Sequence, residues 1–245
     1  MVKTWKCPKI TTPDYLQDMR KEAHILIGGQ TGSGKSVALN GLIYSLLDYA
    51  PCECGFIFID PKGIELRRWR NLPHTIAHAV SMTEIEKWIL WAEREMENRY
   101  AEMPDDDVLV STRRHIYIII DEYAALSDKK NGITKRGMGA LSHIAYMGRA
   151  ANIHIVACTQ RPTSDVIDGL IKNNFNCVLG LRTRQAQDSR NLIGMAGCEK
   201  TVRGIGFYTS SNYPDPTMVK IPMLPAEQIK RMTDWWIAQK EDDNE

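Results

Sequence analysis

Residues 29–36 read Gly29-Gln30-Thr31-Gly32-Ser33-Gly34-Lys35-Ser36, which satisfies G-x-x-x-x-G-K-[ST] at every fixed position. The chemistry offered by these types at this spacing is polyphosphate capture. Glycines let a loop fold back so that successive backbone N–H groups converge on phosphate oxygens, and a helix N-terminus adds positive potential there. Lys35 is expected to reach the β- and γ-phosphates of ATP, and the Ser36 hydroxyl to sit on Mg²⁺. The flanks agree: apolar His24-Ile25-Leu26-Ile27 leads in and a helical pattern from Lys35 through Leu47 leads out. A chance glycine-rich turn would need neither.

A second cluster ends the run His115-Ile116-Tyr117-Ile118-Ile119-Ile120-Asp121-Glu122. Carboxylates are costly to bury without partners, so an apolar strand closing on two adjacent acids has few structural explanations. Asp121 is expected to hold Mg²⁺, directly or through water, and Glu122 to polarise the attacking water as general base. Spacing alone leaves the alternative that the pair caps a following helix. A third apolar run, residues 153–160, ends in Thr159-Gln160. In parallel sheets ligands lie beyond the carboxyl ends of the strands, which puts Gln160 beside the γ-phosphate, where an amide can sense it or hold the water. Together these clusters point to triphosphate hydrolysis rather than binding alone.

The elements that must carry these residues are legible in the periodicity. Apolar strand-sized runs at 24–28, 55–60, 75–80, 115–121, 153–159 and 177–181 alternate with helical patterns, which predicts an α/β fold with a central, mainly parallel sheet and helices on both faces. Residues 81–102 form the clearest helix, with Ile85, Trp88, Ile89, Ala92, Met96 and Tyr100 in one stripe and Glu86, Lys87, Glu93, Arg94 and Glu97 expected opposite. Pro104-Asp105-Asp106-Asp107 reads as an exposed loop, residues 128–139 as a basic, mobile connection, and 226–240 as a last helix before an acidic tail at 241–245. That helix carries Ile229, Met232, Trp236 and Ile237 in a stripe suited to packing on its own domain, or to docking a neighbour.

The 245 residues suit one large domain: a short N-terminal extension at 1–22, a motor-sized unit at 23–221, and a C-terminal helix and tail at 222–245. No signal peptide or membrane-length apolar run is visible, so a cytoplasmic chain with reduced thiols is expected. Thirty-one Lys and Arg face thirty Asp and Glu, a net charge of +1, which excludes a uniformly basic coat but not a local basic surface.

The chain resembles the FtsK/SpoIIIE-type DNA translocases of the FtsK–HerA superfamily. The resemblance rests on Asp60-Pro61-Lys62 with Glu65-Leu66, Leu72-Pro73-His74, and Glu95-Met96-Glu97-Asn98-Arg99-Tyr100. It continues through Asp121-Glu122-Tyr123-Ala124-Ala125-Leu126 and Gly148-Arg149-Ala150-Ala151-Asn152-Ile153-His154. It ends with Thr159-Gln160-Arg161-Pro162, Asp165-Val166-Ile167, Gly169-Leu170-Ile171-Lys172 and Asp188-Ser189-Arg190, in the family's order across residues 23–210. It implies a RecA-like P-loop motor that assembles as a homo-oligomeric ring, a hexamer, around double-stranded DNA. ATP then lies between subunits, and a neighbour supplies an arginine to the γ-phosphate. Arg182 and Arg190 are the candidates for that arginine, with simple pairing to Asp188 as the alternative; Arg149 and Arg161 are further possibilities. Lys200 and Arg203 occupy the place of a family pore loop and are the leading DNA contacts, followed on charge alone by residues 128–139.

Family translocases also carry a membrane-spanning N-terminus, a linker, a further lobe and often a winged helix. This sequence reads as the motor and little else, so recruitment is expected to come from a partner protein. The compact form suggests a mobile-element or phage relative. Two other classes compete: a protein-secretion ATPase of the type VII kind, and a nucleotide-dependent recruitment module that does not translocate.

Overall fold

The computed structural model describes residues 13–103, 113–167 and 173–242. The Pro104-Asp105-Asp106-Asp107 loop, the Gly169-Leu170-Ile171-Lys172 motif, residues 1–12 of the extension and residues 243–245 of the tail lie outside them. Eight strands form one sheet in the order β3-β2-β4-β5-β1-β6-β7-β8. They are β1 His24–Gly28, β2 Cys54–Ile59, β3 Thr75–Ala79, β4 His115–Ile120, β5 Ile153–Thr159, β6 Cys177–Leu181, β7 Ile205–Thr209 and β8 Thr217–Lys220. From β3 to β6 every pairing is parallel, while β6–β7 and β7–β8 are antiparallel.

The continuous apolar runs are explained by cover on both faces. Because side chains alternate along a strand, Ile25, Phe56, Phe58, Tyr117, Ile119, Val156 and Leu179 enter one core. Leu26, Ile57, Ile59, Ile118, Ile120, Ile155 and Val178 enter the other. The first core is closed by α1 Asp14–Met19, α2 Lys35–Leu46 and the C-terminal helix, called α7, Ala226–Asp242. The second is closed by α3 Met82–Ala101, α4 Tyr123–Leu126, α5 Lys135–Met147 and α6 Ala186–Ile193. This is the RecA-like P-loop architecture, a mainly parallel sheet with helices on both faces.

Helix α2 is buried over most of its surface, as a helix packed on several sides must be. The sheet covers one side, Leu16 of α1 comes within 3.7 Å of the position a Cβ on Gly41 would take, and Trp236 of α7 donates to the Leu47 carbonyl at 3.2 Å. Ile229, Met232 and Trp236 are buried, so α7 packs on its own chain. Helix α3 opens on a capping box in which Ser81 Oγ accepts from Glu84 N and Ser81 N donates to the Glu84 carboxylate.

Sequence periodicity misplaces three features. Glu93, expected on the solvent side of α3, is buried, because α5 packs over that side and supplies Arg136 and His143 as its partners. The connection at 128–139 is not a mobile loop throughout. Thr134 caps α5 by accepting from Gly137 N at 3.3 Å, so Lys135–Met147 is helical and Arg136 is engaged with Glu93. The β7–β8 hairpin has no counterpart in the expected strand set, since β8 is short and mostly solvent-facing and gives no apolar run. Across this hairpin Asp18 of α1 accepts from Tyr208 Oη at 2.7 Å, Ser210 Oγ at 2.5 Å and Asn212 Nδ2 at 2.5 Å, which bolts α1 to the antiparallel edge.

Candidate nucleotide and catalytic site

The phosphate loop, residues 29–36, leaves the end of β1 between β5 and β6 and runs into α2. Gly34 caps α2 with φ 111, a left-handed value that L side chains rarely adopt. A Cβ on Gly29 would lie 2.9 Å from Leu181 Cβ and Ser33 Oγ. Three backbone ties hold the loop: Gly29 N donates to Thr159 O at 3.2 Å, Gln30 N to Arg182 O at 2.8 Å, and Gly204 N to Ser33 O at 3.1 Å. The first-turn amides of α2 have no intrahelical acceptors, so they are available to a bound anion. Ser33 is buried with its Oγ unpartnered, an orphaned donor facing the same loop. Lys35 is buried at the start of α2; burial lowers its ammonium pKa, against the pull of Cys158, Glu122 and Asp121.

Asp121 and Glu122 follow β4, which pairs with β5 on one side and β2 on the other. Glu122 precedes α4 yet makes no capping bond to it, which removes the helix-cap account of the acid pair. Instead its carboxylate accepts from Thr159 Oγ1 at 3.1 Å and from Gln160 N at 3.2 Å. Asp121 is treated in the opposite way: it is buried and its Oδ2 has no partner. Burial, then the nearby carboxylates of Glu65 and Asp60, push its pKa up to about 6. Asp60 itself is fully buried and shapes the turn after β2, accepting from Gly63 N and Leu66 N at 3.0 Å each. A crowded acid with a free buried oxygen is a set of donors suited to a divalent cation.

Gln160 stands between these halves. Its Oε1 accepts from Thr31 Oγ1 of the phosphate loop at 2.7 Å while its backbone N–H serves Glu122. Beyond it a cavity of about 450 Å³ is lined by Gln30, Thr31, Gln160, Arg161, Thr183 and Arg184 among others.

A model of the FtsK/SpoIIIE family matches residues 7–116. Over 246 residues the chain is 32% identical to the DNA translocase FtsK of Borreliella burgdorferi, a match that covers 92% of this chain and 31% of that protein. The chain is similar to the FtsK/SpoIIIE family. The DNA translocase FtsK of Sporosarcina ureae is likewise 32% identical, over 94% of this chain and 32% of its own length. The chain thus spans about a third of the curated relatives it matches. Among solved structures, the conjugation coupling protein TcpA of pCW3, in a monomer form with ATPγS, superposes with TM-score 0.73 at 22% identity, covering 89% of this chain and 66% of that one. EssC (ATPases 2 and 3) from Geobacillus thermodenitrificans gives TM-score 0.74 at 20% identity, over 93% and 45% of the two chains. These two likenesses speak to the fold. No helix among the described residues is long and apolar enough to cross a membrane.

The FtsK/SpoIIIE motifs divide between site and scaffold. The segment 95–100 serves the scaffold: buried Arg99 donates to Glu95 at 2.8 Å and to the carbonyls of Arg114 and Ala151, tying α3 to the starts of β4 and β5. Arg182 and Arg190 are exposed beyond β6, and among the described residues no ion pair joins either to Asp188, which is itself buried. Lys200 and Arg203 are also exposed, in the segment that Gly204 fastens to the phosphate loop. The sequence named Glu65 in a family motif without a place, and the structure sets it beside Asp121. The sequence reading missed Arg184 in the cavity wall, for which the Arg182-Thr183-Arg184 run after an apolar strand was the visible signal, and the Thr31–Gln160 bond, which no local pattern announces.

Proposed function

We propose that this chain is the motor of an ATP-dependent double-stranded DNA translocase, a cytoplasmic ring of identical subunits, six in number, with ATP between neighbours. Residues 23–221 form the motor, and the helix of the 222–245 segment packs into its first core. The observation that carries the reading is the pair of acids after β4: one carboxylate left free and crowded, the next fixed by β5, both across from a glycine-rich phosphate loop. Relatives named as DNA translocases, matching over most of the chain, support the DNA part.

Backbone N–H groups of residues 29–36 bind the triphosphate, and Lys35 neutralises its β- and γ-oxygens. Ser36 and Asp121 hold Mg²⁺, which supplies Lewis acidity and charge neutralisation when bound. Glu122 accepts the proton of the attacking water, and Gln160 orients that water. Arg182 or Arg190, exposed beyond β6, stabilises charge on a neighbour's γ-phosphate. Lys200 and Arg203 contact DNA phosphates without reading sequence. The Gly204–Ser33 bond gives their segment a direct mechanical link to the phosphate loop, and Gly204 O accepts from Ile221 N at 2.8 Å on the other side.

The test is ATP turnover by the ring fraction with duplex DNA, single-stranded DNA, an unfolded polypeptide or no polymer, over a range of salt. Duplex stimulation that falls steeply with salt is expected, because each phosphate contact releases counterions. Stimulation by polypeptide with indifference to DNA would replace this reading with a protein-secretion motor. Turnover without displacement of a DNA-bound roadblock would leave a recruitment module.

A further inference from the structure

Thr159 and Gln160 connect the phosphate loop to Glu122 at both of their backbones and both of their side chains. Toward the loop, Thr159 O accepts from Gly29 N at 3.2 Å and Gln160 Oε1 accepts from Thr31 Oγ1 at 2.7 Å. Toward the acid, Thr159 Oγ1 donates to Glu122 Oε1 at 3.1 Å and Gln160 N donates to both carboxylate oxygens at 3.2 Å. The direction of the threonine bond is fixed. Its oxygen accepts from Arg161 N at 3.1 Å, and an ionised carboxylate can only accept, so the hydroxyl proton points to Glu122. Thr159 is fully buried, whereas Thr31 is exposed on the rim of the loop.

We propose that Thr159 and Thr31 are positioning residues that couple the orientation of Glu122 to occupancy of the phosphate loop. This rests on the ATPase reading above. A phosphate oxygen is a charged acceptor and competes strongly with the neutral Gln160 amide for the Thr31 hydroxyl. Once Thr31 turns to phosphate, Gln160 loses its anchor on the loop. The segment whose N–H and O–H hold the general base is then free to shift, and Glu122 moves with it toward the attacking water. With the loop empty, the same bonds keep Glu122 turned to β5.

The coupling is tested on the full chain, with a fluorescent non-hydrolysable ATP analogue for binding and single-turnover kinetics for chemistry. Thr159→Val is expected to lower kcat about tenfold with KM for ATP and analogue affinity within about twofold, and Thr159→Ser to restore kcat. Hydrogen exchange at the Gln160 and Arg161 amides is expected to rise when the analogue binds the wild-type chain and to be unresponsive in Thr31→Val. A Thr159→Val enzyme with wild-type kcat, or one that Thr159→Ser fails to mimic in reverse, overturns the coupling, as does an analogue response that survives Thr31→Val. A wild-type chain with no Mg²⁺-dependent turnover overturns the ATPase reading and the coupling together. Turnover that Thr159→Val leaves intact overturns the coupling alone.

Discussion

On one side of β1 the sheet continues into β5 and β4, and on the other into β6, β7 and β8. The two flanks meet the phosphate loop in different ways. Toward β5 one backbone tie, Gly29 to Thr159, is joined by side-chain contacts with fixed donors and acceptors, the exposed Thr31 to Gln160 and the buried Thr159 to Glu122. Toward β6 the ties are backbone to backbone, Gln30 to Arg182 and Gly204 to Ser33, and the side chains of Arg182, Arg190, Lys200 and Arg203 face outward. A buried side-chain network responds to the change of a single atom, because a lost partner strands a polar group. A backbone tie passes displacement along while leaving the side chains free for another molecule. Under the proposed function, the first flank serves chemistry inside one subunit, and the second serves transmission between subunits and to DNA.

The division can be broken most decisively at the chemical flank. Glu122→Gln and Lys35→Ala are each expected to cut ATP turnover by at least ~10³-fold with the fold intact, since they remove the proposed general base and the proposed phosphate cation. Glu122→Gln is further expected to keep nucleotide binding, measured by analogue titration; robust turnover in either variant would remove the acid pair or the lysine from the mechanism.

The second flank is sharpened by asking which arginine works across the interface. Of Arg182→Ala and Arg190→Ala, the variant that removes the trans arginine is expected to lose about 10²-fold in ring turnover. It should regain turnover when mixed with Lys35→Ala subunits, because each chain then supplies what the other lacks. Full activity in both alanine variants would assign the arginine elsewhere.

A smaller effect is expected at the DNA segment. The Lys200→Ala, Arg203→Ala double variant should bind duplex DNA about tenfold more weakly near physiological salt and show a shallower dependence of log Kd on log salt by roughly two units. ATP turnover without DNA should stay at the wild-type level. An unchanged salt slope would take these residues out of the DNA contact surface.

The smallest effect concerns stability. The Asp121 carboxyl titrates at about 6 against an ordinary 3.8, chiefly through burial and then through Glu65 and Asp60. A carboxyl raised on folding holds its proton longer in the native chain than in the unfolded one. It therefore subtracts stability as pH rises through the window from about 4 to about 6, and the loss persists above it. Asp121→Asn is expected to remove that slope and to stabilise the nucleotide-free chain at neutral pH by ~1 kcal/mol after allowance for solvent screening, read as Tm against pH. A Tm profile identical to wild type would show that Asp121 is not crowded in solution.

Much of the first flank was legible in the sequence because its signals are local. Gly29 through Ser36 declare themselves by spacing, and the runs ending at Asp121 and Thr159 by an apolar stretch closing on polar residues. The expected bounds of β1, β5 and β6 coincide with those of the structure, since strands buried on both faces leave unbroken apolar runs. The second flank was less legible. Strands β7 and β8 expose one or both faces, so no run marks them, and the burial of Glu93 depends on a helix more than forty residues away.

Taken alone, the sequence determined the α/β class and marked the phosphate loop, the acid pair and the polar end of β5 as candidates, since each follows from residue types within a few positions of one another. Only the tertiary structure decided that Asp121 stays free while its neighbour Glu122 is held, although the two are adjacent and similar. The reason is the strand order. Placing β4 between β2 and β5 sets Asp121 near Asp60 and Glu65 and puts Glu122 within reach of Thr159 and Gln160. No local pattern encodes which strands become neighbours, and at this site those neighbours give two adjacent carboxylates different surroundings.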